Sequence, residues 1–478
     1  MLLRLPEEII VKIFLSYNED HHYPGFIGSA SAGNLEQLGR LLIPSQICSS
    51  LRQVCLGAPG LWSEINLLWP VDVIDAYTIR ARGAGLSLTV PACREREVFK
   101  SQEVFEQRLQ FCANFLPRNM HMIRSLDLTI LWYRDLNGID ALWNSIRHLP
   151  APRLESCMLS GRSWEERYSL DGLFSHEAPF LKELVVASYT FHQFDLSPFQ
   201  SLTILDLYFD DPASLESISQ IPRIVSRCPR LRTLRLCGPD NEGIVEYVEP
   251  LSAPVTELSD CVDVDIAAFF SDHIVYLLSA ISLPSVHDLT IEGIVREAEE
   301  ERPYKSIYSS LPASFKENVI DSQLVTFGLQ GFGTKLRTMT GKRFNLDLAE
   351  RQSMQFGDAW TSATISEFIA GAFQEMQLKP KTISFVTDEH FPVPLYTRDT
   401  WKTIFLAASS VDRIISDGYI CQHPFLEALT ESNLMCPSLQ FLDLRGPPPD
   451  HINEDDAFAL IGREGVYMRV FRDDLNGA

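Results

Sequence analysis

What the chain has little of narrows its chemistry. Lysine and arginine number 41 against 63 aspartates and glutamates, a formal net charge of -22. Such a chain has no basic footprint for a phosphate backbone, so nucleic acid is not expected as a partner. No apolar run approaches the length needed to span a bilayer, and the stretch Met1 to Glu8 carries Pro6 and a carboxylate pair where a secretory leader needs an apolar centre. No membrane contact is expected, and the expected location is cytoplasmic or nuclear. The ten cysteines form no C-x-x-C pair, and the eleven histidines do not gather at ligand spacing. Buried free thiols are therefore expected, rather than a metal site or a disulfide framework.

Catalytic signatures are missing as well. No G-x-S-x-G, H-E-x-x-H or kinase pattern occurs. Asp388-Glu389-His390 is the nearest acid-base cluster, and it reads as a polar loop after a strand. The glycines of Gly328 to Thr334 are spaced differently from G-x-G-x-x-G, and Gly341-Lys342 lacks both the upstream glycine and the following hydroxyl of a phosphate loop. No catalytic residue, cofactor or metal ligand is assigned, and the chain is not expected to be an enzyme. A hydrolase or transferase whose site is assembled from distant residues is the alternative.

What is present is a repeated spacing. Leu231-Arg-Thr-Leu-Arg-Leu-Cys-Gly238 has the form L-x-x-L-x-L, and apolar variants recur at Ile123-Leu126-Leu128, Leu181-Leu184-Val186, Leu202-Leu205-Leu207, Val286-Leu289-Ile291, Leu324-Phe327-Leu329 and Leu439-Leu442-Leu444. The closer copies lie roughly 20 to 40 residues apart, the range of stacked structural repeats, and the wider gaps are expected to hold insertions or further units. The last two apolar positions are two apart and share one strand face, and the first anchors the entering turn. Helical patterns alternate with these strands: Val98 to Leu116, Asp210 to Cys228 with a break at Pro222, and Thr364 to Leu378, where Thr364 and Glu367 form a capping box. Near the end, Asn453 with Glu454 to Asp456 reads as a helix start, and Tyr467 to Phe471 as a last strand. Residues Val295 to Trp360 fit the repeat least and are expected to be an insertion beside the binding face.

Residues that alternate with core positions point out of a sheet. Asp127, Asp206, Arg235, Thr290 and Asp443 each stand between two apolar positions, and together they are the candidate target-binding face, taken to be concave. Taken singly, each is an ordinary solvated strand residue. Their acidic bias points to a basic target.

The first sixty residues differ. Leu5-Pro-Glu-Glu-Ile-Ile-Val-Lys-Ile-Phe14 reads as a helix entered through Pro6, with Glu7 and Glu8 favoured at its positive end. After a Gly-rich and Ser-rich excursion, Leu41 to Cys48 and Ala58-Pro-Gly-Leu-Trp-Ser-Glu-Ile65 read as two more short helical segments. Leu5, Pro6, Glu8, Ile9, Ile10, Ile13 and Phe14, then Ser45-Gln46-Ile47-Cys48, then Ala58-Pro59-x-Leu61-Trp62-x-x-Ile65 resemble the F-box, in the form common in mushroom-forming fungi. Arg80 to Val90 resembles the stretch that follows the box and opens a repeat domain.

The resemblance implies three short helices that dock on the Skp adaptor of a cullin-RING ubiquitin ligase. Leu5, Pro6, Ile9, Ile10, Ile13, Phe14, Ile47 and Cys48 are then the adaptor-contact or box-core candidates, two roles that sequence does not divide. The expected fold is α/β: a small all-α F-box-like domain over 1-70, then over 71-478 an irregular leucine-rich-repeat-like solenoid of parallel strands with outer helices. The expected partners are the Skp adaptor and an unknown target protein. Read from its residues alone, the N-terminal helix is also an end cap for the array, and the chain a protein-binding scaffold outside any ligase.

Overall fold

The computed structural model describes Pro6 and residues 8–13, 46–90, 102–130, 137–161, 170, 172–187, 196, 198–209, 218–238, 256–295, 303–312, 315–316, 324–330, 333–340, 342–350, 362–387, 397–417, 423–430, 436–445 and 466–471. The chain divides into two units. Unit 1 is built on Met1–Gln220 with Arg227–Leu231 and Asn241–Ile244, and unit 2 on Ile221–Ser226, Arg232–Asp240 and Val245–Ala478.

Unit 1 opens with helix α1 over residues 8–13. The carbonyl of Pro6 accepts the first turn's bonds from the amides of Ile9 (3.0 Å) and Ile10 (3.2 Å). Helix α2, Ser49–Gly57, follows a short helical turn at residues 46–47. Cys48 is its N-cap: its extended backbone breaks the helix there, and its Sγ accepts from the Leu51 amide at 3.5 Å. The sequence pattern ends a helix at Cys48 and misses the one that begins after it.

Ala58 to Ile65, expected as a helix, is instead a 3-10 turn Pro59–Trp62 followed by strand β1, Glu64–Asn66. Ile65 pairs in parallel with Leu88 and is 2% exposed. The β-branched Ile65 gains both ladder bonds and full burial in the strand, which overrides the helical spacing. The first strand of the sheet therefore lies at 64–66, inside the stretch expected to be all helical.

The rest of unit 1 alternates: α3 Val71–Ala81, β2 Leu86–Val90, α4 Gln102–Asn119, β3 Ile123–Ile130, α5 Asn137–Arg147, β4 Ser156–Gly161, β5 Glu183–Ala187 and β6 Ile204–Tyr208. Strands β1 to β6 pair in sequence order and in parallel. The repeated leucines do what the spacing requires. Ile123, Leu126, Leu128, Leu181, Leu184, Val186, Leu202, Leu205 and Leu207 are all at most 2% exposed. Each such side chain contributes about 1.5–3 kcal/mol relative to exposure.

Unit 2 contains the short helix α6 Gln220–Val225, then β7 Thr233–Cys237, β8 Thr256–Glu257, β9 Asp263–Phe270, α7 Ser271–Ala280, β10 Ile281–Ser282, β11 Asp288–Val295, α8 Pro303–Ser310, β12 Leu324–Gln330, β13 Gly333–Thr340, β14 Lys342–Glu350, α9 Ser362–Glu375, β15 Thr382–Thr387, α10 Arg398–Ala407, β16 Arg413–Asp417, α11 His423–Thr430, β17 Phe441–Arg445 and β18 Tyr467–Phe471. Helix α6 tolerates Pro222 because it sits near the helix start, where a proline N–H has no partner to lose. Helices α7, α8, α9, α10 and α11 pack side by side in series.

The strand order in unit 2 is β7-β9-β11-β14-β13-β12-β15-β16-β17-β18, and β8 pairs separately with β10. All neighbours are parallel except β13, which runs antiparallel to both β12 and β14. The segment expected to lie beside the face is thus inside the sheet. After β11 the chain skips two places to lay down β12 next to β15, then returns as β13 and β14 to fill the gap. The antiparallel pairing of β12 and β13 runs from Leu324 with Met339 to Gln330 with Gly333. The repeat copy in β12 is also displaced: Val325 and Phe327 are the buried pair, and Leu324 is half-exposed. Pairing with Ile383 and Phe385 of β15 sets this register, because those side chains fill the same layer. Helix α9 begins at Ser362, so Thr364 lies inside it rather than at its cap.

The expected final helix, the loop containing Asp388 and the excursion before residue 46 lie outside the described residues. Among the described residues, no helix is long and apolar enough to cross a membrane.

Candidate protein-binding faces

Two surfaces are built from the candidate residues. The first is on α1 and α2. Ile10 is 3% exposed and packs with Leu51 and Val54, with Val11 and Cys48 against the same cluster. Ile9 and Ile13 are each 41% exposed and Ile47 is 66% exposed. Pro6 is exposed, while Leu5 and Phe14 lie outside the described residues. Ile10 and Cys48 thus pack into the small core, whereas Ile9, Ile13 and Ile47 face outward. The Leu61-Trp62 element is core, both residues being at most 2% exposed.

The second surface is the open face of each unit's sheet, formed by residues alternating with the buried leucines. In unit 1, pairing places Asn66, Thr89, Asp127, Met158, Val185 and Asp206 in one continuous cross-strand row. The row nearer the strand starts carries Glu64 and Glu183 among serines. Asp127 is half-buried, and its Oδ1 accepts from the Thr129 hydroxyl at 2.7 Å. Asp206 has the expected position between Leu205 and Leu207 yet is only 5% exposed.

Just ahead of these rows, at the strand entries, runs a charged ladder. Lys182 Nζ donates to Glu155 Oε2 at 2.7 Å and Arg124 Nε to Oε1 at 2.9 Å. The Lys182 bond, then that of Arg124, holds the Glu155 carboxyl below the ordinary carboxylate range.

In unit 2, Arg235, Asp265 and Thr290 are register neighbours, as are Ser384, Ile415 and Asp443 further on. Arg235 is exposed and lies 4.0 Å from Asp263; Thr290 is half-buried. Asp443 is 6% exposed, with its Oδ2 3.7 Å from Arg413 Nε. The Arg413 guanidinium stands 4.8 Å from the Phe441 ring centre, and Phe441 stacks on Tyr467 at 6.0 Å. The leucine spacing located β17, but it gave no sign of the stacked Arg413, Phe441 and Tyr467, which stand in the row next to the predicted one.

Among the described residues, no three His, Cys, Asp or Glu side chains gather as a metal site. What the geometry offers is surface: parallel sheets with a leucine-rich layer on one side and alternating polar and apolar side chains on the other. That arrangement is an array of mainly parallel strands whose L-x-x-L-x-L leucines are buried on one side. No family model matches the sequence, and no curated protein matches it. Similar solved structures include a TLR13–ssRNA13 complex, at 13% identity over 74% of this chain and 43% of that one, with a TM-score of 0.31. Another is the leucine-rich repeat-containing protein LegL7 from Legionella pneumophila, at 11% identity over 62% of this chain and 84% of that one, with a TM-score of 0.28. The chain spans less than half the length of the TLR13 chain.

Proposed function

We propose that this chain is a substrate-recognition adaptor of a Skp-cullin-F-box type ubiquitin ligase, seated on the Skp adaptor through its N-terminal helices and holding a target protein on its open sheet faces. The observation that carries this reading is the outward apolar set: Ile9 and Ile13 at 41% and Ile47 at 66% exposure, on short helices whose own core uses Ile10. Ile9 and Ile13, one turn apart on α1, give that helix an outward apolar face suited to a partner. The chain performs no reaction itself. Holding a target beside the ligase's charged ubiquitin carrier raises the local concentration of the reacting groups.

A second reading is a scaffold outside any ligase, with α1 and α2 as an end cap. The burial of Leu51, Val54 and Cys55 in α2 supports it, because a cap needs an inner apolar face. Size-exclusion chromatography of the chain mixed with purified Skp adaptor separates the two. Co-elution supports the ligase adaptor, and separate elution of two folded proteins leaves the scaffold.

A further inference from the structure

We propose that the strand-entry edge of unit 1 is a docking ridge for an acidic segment of a partner protein, one that carries an apolar side chain among its carboxylates. The ridge is separate from the open sheet face and from α1 and α2, so it stands whichever reading above holds.

One repeated turn builds the ridge. The amide of each anchor leucine donates to the carbonyl three residues before it: Leu154 to Ala151 at 3.2 Å, Leu181 to Ala178 at 3.2 Å, Leu202 to Phe199 at 3.1 Å and Leu231 to Cys228 at 3.2 Å. The third positions of these turns are Arg153, Phe180, Ser201 and Arg230. The Lys182 amide donates to the Glu155 carbonyl at 2.8 Å and the Thr203 amide to the Lys182 carbonyl at 2.7 Å. The first three turns are therefore neighbours, at a strand spacing of about 5 Å.

The turn itself does not call for these side chains. In unit 2 the same bond closes Cys261 to Leu258, Val286 to Leu283, Val411 to Ala408 and Leu439 to Cys436, and the third positions there are Asp260, Ser285, Ser410 and Ser438. Aspartate and serine are the ordinary choice in tight turns. Turn chemistry leaves Arg153, Phe180 and Arg230 unexplained.

Charge names the partner. The chain carries a net charge of -22, yet in its entry segments 81–85, 118–124, 147–155, 176–182, 199–203 and 227–231 the only acids are Glu155 and Glu177. Arg82, Arg118 and Arg147 stand at helix ends, where a cation complements the helix dipole. Arg124, Arg153, Lys182 and Arg230 stand at strand entries and turns instead. Arg124 and Lys182 share the single carboxylate of Glu155, at 2.9 and 2.7 Å, so that group of three stays net positive. Arg153 is exposed and gives one N–H to the Gly83 carbonyl at 3.3 Å. The rest of its donor fork suits a carboxylate.

Phe180 supplies the apolar part. It is 58% exposed, next to exposed Pro179 and, one turn over, exposed Pro152, with Arg153 and Lys182 on either side. Aromatic and arginine side chains set together are the composition of interface centres. A long polyanion would meet the field of the whole acidic chain, whereas a short acidic segment meets the local one, because charges beyond about 10 Å are screened. The ridge therefore favours an acidic peptide over nucleic acid or an anionic membrane.

The test uses the full chain and labelled peptides with identical Gly-Ser flanks, read by fluorescence anisotropy. A peptide containing Asp-Glu-Leu-Asp-Glu is expected to bind, with Asn-Gln-Leu-Asn-Gln at least about tenfold weaker and Asp-Glu-Ser-Asp-Glu at least about threefold weaker. Arg153→Ala with Lys182→Ala is expected to weaken the first peptide at least about tenfold, and Phe180→Ser at least about threefold with no change of charge. Lys379→Ala with Lys381→Ala, which removes two exposed charges from unit 2, is expected to change it less than about twofold. Urea unfolding checks that each variant is folded. Equal binding of the acidic and neutral peptides, equal loss in the two charge-removal variants, no binding by folded wild type, or tighter binding of an oligonucleotide or of phosphatidylserine vesicles overturns the proposal.

Discussion

The Nε1 of Trp62 donates a 2.7 Å hydrogen bond to the carbonyl of Cys55, tying the end of α2 to the turn that leads into β1. The indole is 1% exposed and packs edge-on against Tyr77 at 4.9 Å, with the Arg80 guanidinium 4.4 Å from its ring centre. Trp62 therefore ties the end of α2 to α3. Trp62→Phe leaves the Cys55 carbonyl without its donor and is expected to cost about 1–3 kcal/mol; Trp62→Ala adds a cavity, for about 3–5 kcal/mol. Urea unfolding measures both, and a loss under about 0.5 kcal/mol for the alanine variant contradicts the anchoring role.

A stabilising change is available at the end of α3. Arg82 has φ 46 and ψ 38, the left-handed region, and Gly83 follows at φ 80. A side chain there crowds the backbone, whereas glycine adopts the conformation freely. Arg82→Gly is expected to raise stability by roughly 0.5–1 kcal/mol. A lowered melting temperature would show that the exposed Arg82 side chain contributes more than its backbone strain costs.

Glu155 gives a small acid-side signature. Its folded carboxyl titrates below the ordinary value of 4.5, through the bond from Lys182 and then that from Arg124. A depressed pKa stabilises the fold above the unfolded value, and this contribution is lost as the pH falls through the folded pKa. The window is therefore below about pH 4.5, and because the ladder is exposed the effect is at most about 1 kcal/mol. The stability difference between wild type and Glu155→Gln should be constant from about pH 5 to 7 and shrink below about pH 4. A difference that grows on acidification would contradict the ladder.

The thiols should be quiet. Burial pushes Cys112 and Cys261 up to about 12 and Cys157 higher still, so none ionises near neutrality. Brief treatment with iodoacetamide at about pH 8, where an ordinary exposed thiol begins to ionise, is expected to leave these three unmodified until denaturant is added, while half-buried Cys48 and Cys237 react before the other described cysteines. Peptide mass spectrometry reads the result, and native-state alkylation of Cys157 would contradict its burial.

The repeated leucine spacing made β3, β5, β6, β7, β11, β12 and β17 legible, because a parallel sheet covered on one face needs an apolar side chain at every second position and a third to anchor the turn. It failed in three places for physical reasons. Ile65 has helical neighbours but gains more from pairing with Leu88. In β12 the apolar residues Leu324, Val325, Phe327 and Leu329 permit two registers, and the facing Ile383 and Phe385 choose between them. The reversal that inserts β13 and β14 depends on long-range pairing that no local pattern encodes. Of the candidate face residues, position was readable from alternation, whereas accessibility was not: Asp206 and Asp443 are buried. On α1, Ile9, Ile10 and Ile13 look alike in sequence, and only the packing of Ile10 on Leu51 and Val54 separates core from surface.

That separation supplies the most direct measurement. Isothermal titration of purified Skp adaptor into the wild type, Ile9→Asp with Ile13→Asp, and Ile10→Asp, each checked by urea unfolding, tests whether the outward apolar set is the docking surface. The Ile9 and Ile13 pair is expected to keep stability within about 1 kcal/mol of wild type and to lose adaptor binding, whereas Ile10→Asp buries a charge and is expected to destabilise the N-terminal helices by about 3 kcal/mol or more. Adaptor binding unchanged in the folded Ile9 and Ile13 variant, or absent in folded wild type, would contradict the account.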